Sequence, residues 1–172
     1  MPFRITMIPV IMLSCFVPIL SGCGGPARPA DLPKLYPCTI TVVQDGKPLS
    51  DGLVTLFSAA PEFKWAVFAQ LDSSGTGTVF TQGLYPGAPE GEYKVVVSKQ
   101  DFVEEPVGPT RIDGDSGREI TSTISTVYTL VGKDYTSKET TPLTLTVSSK
   151  GDNKQQFDCG KPVREFLHRV TP

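Results

Sequence analysis

The residues that could do chemistry are few: four cysteines, one histidine, one tryptophan and scattered acids in a chain of 172 residues. His168 stands near the C-terminus beside Arg164, Glu165 and Arg169, with no Ser or Cys nucleophile near it in sequence, so it reads as a surface histidine rather than part of a triad. Asp113, Asp115 and Glu119 in "DGDSGRE" alternate in a way that can offer oxygens to Ca²⁺. The stretch lacks the further ligands and the length of an EF-hand loop, and reads as a solvated acidic turn. Asp101, Glu104 and Glu105 keep their segment soluble rather than forming a catalytic carboxylate pair. Trp65 shares a strand face with Phe63, and Phe68 lies on the opposite face. An exposed aromatic row can stack on sugar, and the competing reading is core packing. There is no Gly-rich phosphate loop, CxxC pair or HExxH. The expectation is a chain that is not an enzyme and carries no cofactor and no metal.

The remaining chemistry belongs to the cysteines, beginning with Cys23. The run Ile5–Leu20 is rich in Ile, Met, Leu, Val and Phe, follows a single cation at Arg4, and is interrupted by Pro9 and Pro18. It is too short for a membrane span, which takes roughly 20 apolar residues, and suits a secretory signal. Its end, Leu20-Ser21-Gly22-Cys23, is similar to the bacterial lipobox. That resemblance implies a diacylglycerol on Cys23 Sγ, cleavage before Cys23, and a membrane anchor. Two or three acyl chains hold a protein where one binds only marginally. Residues 1–22 are then a lipoprotein signal peptide and 23–36 a Gly/Pro-rich tether. Gly24 is not the Asp that keeps many Gram-negative lipoproteins at the inner membrane, which favours the outer one. The expected location is the cell envelope, with the domain facing the periplasm or the cell surface.

Cleavage leaves about 150 residues, enough for one domain with its own core. Without Arg4, the Lys and Arg residues number one fewer than the 16 of the whole chain against 18 acids, and they are scattered, so nucleic acid is not an expected partner. Cys15 goes with the signal and Cys23 takes lipid, which leaves Cys38 and Cys159. In an exported protein two such thiols either pair, here stapling the two ends of the domain, or stay separately buried.

From Cys38 onward the hydrophobic period is two. "CTITVV" (38–43), "LVTLFS" (53–58), "KWAVFAQL" (64–71), "TVFT" (78–81), "EYKVVVSK" (92–99), "LTLTVSS" (143–149) and "QQFDCG" (155–160) read as strands, with Asp45-Gly46 a hairpin signal. Seven such runs predict an all-β, seven-stranded antiparallel sandwich over 37–161. Residues 100–127, with Pro106, Pro109 and a Ser/Thr run, read as a long loop insertion. The segment 127–136 holds a short edge strand, and 162–172 is a tail with weak helical spacing.

"LYPCTITVVQDGKPLSDGLVTLF", "LDSSGTGTVFTQGLYPGAPEGEYKVVVSK", "DYTSKETTPLTLTV" and "FDCGKPVREF" together resemble small lipoproteins of the planctomycete type, with a carboxypeptidase-regulatory-like, transthyretin-like domain. The resemblance spans about residues 35–167 and implies a prealbumin-like sandwich that serves as an accessory or binding module. Enzymes on related folds need more than this chain has: several histidines for a hydroxyisourate hydrolase, two His and two Tyr for an intradiol dioxygenase iron site, against the single His168. The expected role is a non-catalytic structural or protein-interaction module of the envelope. The alternative is a carbohydrate-binding module centred on Trp65. The expected partners are the membrane, through the anchor, and an envelope protein or polysaccharide.

Overall fold

The computed structural model describes residues 28–170. The chain divides into two units, Met1–Ala30 and Asp31–Pro172, and the second carries all the structure discussed below. Its described residues form strands and one 3-10 turn, Lys133–Tyr135, with no α-helix among them.

Two sheets supply the core. One has six strands in the order Thr144–Val147, Gly91–Ser98, Leu53–Ser58, Val67–Gln70, Phe80–Thr81, Tyr85–Pro86, all antiparallel. The other is built on Cys38–Gln44, flanked by Asn153–Asp158 on one side and by Lys47–Pro48 and Thr76–Thr78 on the other. The expected alternation holds along these strands. Cys38, Ile40 and Val42 are buried, as are Val54 and Leu56, Val67 and Ala69, Tyr93, Val95 and Val97, Leu145 and Val147, and they join one hydrophobic cluster drawn from both sheets, while Gln44 is buried with its amide donating to the Leu130 carbonyl at 3.0 Å. Period-two patterning forces this result, because successive side chains on a strand point to opposite faces.

The turns follow their residues. Asp45 (φ 49°) and Gly46 (φ 73°) both sit in the left-handed region, as a two-residue type I′ hairpin demands, and Val43 and Gln44 pair with Pro48 and Lys47 across it. At Gly75 (φ 72°) a Cβ would lie 2.6 Å from the carbonyl oxygen of Val42, so this turn requires glycine on two counts. Asp72 locks it by accepting bonds from the Ser74 and Thr76 amides at 2.8 and 3.0 Å.

Three features depart from the sequence expectation. The closing strand Asn153–Asp158 pairs with Cys38–Gln44 in parallel, so the architecture is not wholly antiparallel. Residues 100–127 are not a loop insertion: Gln100–Ile112 and Glu119–Thr129 pair as a long antiparallel hairpin. The tail is not a helix, since Glu165–Val170 is a strand added to Glu119–Thr129, which places 127–129 in the middle of a three-stranded sheet rather than at an edge. The β-branched run "ITSTISTVYT" explains the second departure, and Pro106 and Pro109 fall on an edge strand, where a missing N–H costs no ladder bond.

Candidate functional site

Cys23 and the Leu20–Cys23 motif lie outside the described residues, so the lipid attachment has its whole support in sequence.

Cys38 and Cys159 do not form the bridge that was one of the two expectations. Both are free and buried. The parallel register explains why: Cys38 is opposite Asn153 at one end of its strand, while Asp158 is opposite Val43 at the other, and the Cys159 amide donates to the Val43 carbonyl at 2.9 Å. Cys159 therefore sits level with Gln44, roughly 20 Å along the strand from Cys38, against a limit of about 7 Å between Cα atoms for a disulfide. Burial pushes the Cys38 thiol up to about 11. Burial, with the negative charge of neighbouring Asp158 adding to it, pushes Cys159 to about 12. Neither can be a ready thiolate, so neither serves as a nucleophile at neutral pH.

The acidic turn closes the long hairpin. The Asp113 carboxylate accepts from Ser116 Oγ at 2.5 Å and from the Asp115 amide at 3.3 Å, bonds that hold it below the usual carboxylate range. Its main chain closes the turn with Arg118 and Gly117 at 2.8 Å. Among the described residues no group of three or more His, Cys, Asp or Glu side chains is placed to hold a metal. His168 lies exposed on the C-terminal strand opposite Val127.

Trp65 lies half-buried just before the strand Val67–Gln70, in phase with buried Val67 and Ala69. With Phe57 and Phe63 it lines a groove of about 390 Å³. Phe63 is anchored edge-on against Tyr93, ring centroids 6.0 Å apart, and Tyr93 in turn donates its hydroxyl to the Pro89 carbonyl at 2.8 Å. Of the two aromatics on this face, Phe63 packs against the buried cluster, while Trp65 lines the groove.

The hairpin is the element that sequence reading missed. At its base the C-terminal segment fastens both strands. Arg164 bonds Asp101 at 3.1 Å and lies 4.1 Å from the Tyr128 ring, and Tyr128 meets Phe166 edge-on at 6.4 Å. Beyond that base every described side chain from Glu104 to Ile112 is exposed, and so are those of Glu119, Thr121, Ser122 and Thr123 on the returning strand. Successive residues point to opposite faces, so this stretch is a two-stranded ribbon with solvent on both sides. Nine residues at about 3.3 Å each make it roughly 30 Å long. It is braced internally by a Thr110–Thr121 hydroxyl bond of 3.1 Å and broken by an irregularity between Val107 and Arg111, where Gly108 has φ 80°. Phe102 at its base is 63% exposed and Ile112 near its tip 72%.

No family model, no curated protein and no solved structure matches this chain.

Proposed function

We propose that this chain is a lipid-anchored protein of the bacterial cell envelope, held to the membrane through Cys23 and a tether over 23–36. Its domain is a transthyretin-like sandwich that serves as a non-catalytic structural or protein-interaction module. The observation that carries the reading is the ribbon. An isolated two-stranded hairpin is at best marginally stable in water, and large exposed apolar side chains such as Phe102, Val107 and Ile112 on a projecting element mark a contact surface. The partner is an envelope protein that takes the ribbon's faces. Replacing 104–123 by a short turn should leave the domain folded, with a melting temperature within a few degrees of the parent, and should remove its contacts in native membranes. Loss of folding together with the ribbon would assign it to the scaffold instead. Cys23→Ser should release the protein from membranes washed in high salt.

A second reading, carbohydrate binding, is favoured by one observation: Trp65, Phe57 and Phe63 converge on a single groove.

A further inference from the structure

The groove beside Trp65 has a charge pattern that narrows its ligand. Among the described residues lining it, Lys138 is the one that is ionisable, and none is a carboxylate. Lys138 Nζ lies 5.9 Å from the Phe57 ring centre, and its nearest acid, Glu139, is 3.8 Å away with its other carboxylate oxygen bound by Ser137. The cation is therefore weakly paired and faces an apolar wall. Lys64, over the Trp65 ring at 5.3 Å, adds positive charge at the rim, although Asp31 binds it directly. Hydroxyls complete the lining. Ser58 Oγ accepts from the Ala60 amide at 3.1 Å, which leaves its proton free to donate, and Thr55 stands two residues before Phe57 on the same strand.

We propose that this groove binds a carbohydrate chain bearing carboxylates, a polyuronate, and the inference rests on the carbohydrate reading above. The flat C–H face of a pyranose stacks on the indole of Trp65. The sugar carboxylate takes a charge-assisted hydrogen bond from Lys138, and a ring hydroxyl or ring oxygen meets Ser58. A neutral sugar would satisfy the aromatic wall and leave Lys138 unused. A simple anion would satisfy Lys138 and leave the wall unused.

Trp65 is the sole tryptophan of the chain, so its fluorescence reports the groove directly. The full chain, solubilised in detergent, is titrated with an oligogalacturonate and with a neutral cello-oligosaccharide of equal length. The expected result is a saturable change in Trp65 emission with the uronate, with the neutral sugar binding about tenfold or more weakly. Lys138→Gln should bring the uronate down to the neutral level, and Trp65→Ala should abolish binding of both by calorimetry while the domain still melts cooperatively. Equal affinity for the two sugars would overturn the uronate assignment and leave carbohydrate binding standing. Binding of neither sugar would overturn both.

Discussion

The buried cluster and the projecting ribbon are made from the same kind of residue and end in opposite environments. Strand Cys38–Gln44 alternates Cys, Ile, Val and Gln inward with Thr and Val outward, and a second sheet covers its inner face. The ribbon strands are also rich in Thr, Val and Ile, but from Glu104 to Ile112 no described residue covers either face. Backbone hydrogen bonding is equally available to both, so burial is what separates a scaffold from an arm. A residue's effect on stability should follow that division, and its effect on partners should follow the reverse.

The largest contrast is expected from truncations. Ile40→Ala, at a fully buried site, should cost about 3 kcal/mol in urea unfolding, whereas Ile112→Ala in the ribbon should change stability by less than about 0.5 kcal/mol. Comparable losses at both positions would erase the distinction. Next come the turns. Gly75→Ala should cost about 2 kcal/mol or more, since the new Cβ meets the Val42 carbonyl oxygen in a left-handed conformation, while Gly46→Ala, with open space around it, should cost about 1 kcal/mol. The thiols act only in alkaline solution. Their folded pKa values, about 11 and 12, lie above the ordinary 9.0, so the unfolded chain ionises first as the solution becomes alkaline. The stability they contribute is complete below pH 9 and is lost progressively as pH rises toward 11 and 12, at up to about 1.4 kcal/mol per pH unit for each thiol. Cys159→Ala should flatten the alkaline fall in melting temperature. Native Cys38 and Cys159 should also resist a thiol reagent at pH 8 until the chain unfolds. Limited trypsin treatment sharpens the comparison at the least cost to the fold, with first cuts expected at Arg111 or Arg118 while the sandwich core stays whole.

Much of the core was legible in sequence because one-sided burial writes itself as period two. Tyr93, Val95 and Val97, or Leu145 and Val147, could be placed inward by alternation alone, and Asp45-Gly46 could be placed in its turn by backbone stereochemistry. The ribbon was not legible for the same physical reason. With water on both faces it needs no alternation, so its acids, prolines and threonines read as loop, and only the β-branched density of "ITSTISTVYT" hinted at a strand. Whether Cys38 and Cys159 pair or stay separately buried was not decided by sequence, because spacing along the chain carries no register. A parallel pairing of Asn153–Asp158 with Cys38–Gln44 sets the two thiols at opposite ends of one strand. Trp65 was found by residue type, while its groove needed Phe57 and Lys138, which lie 8 residues before it and 73 after it in the chain and meet it only in the fold.

The central claim is that the ribbon, and not the sandwich surface at large, is what this protein presents to its protein partner. Photo-crosslinking residues placed singly at Val107 and Ile112 in the full chain within native membranes test it directly. A matched probe at Leu84, 58% exposed on the sandwich, serves as reference. Discrete adducts to an envelope protein from Val107 and Ile112, and none from Leu84, are the expected result; adducts from Leu84 alone, or from no position, would contradict it.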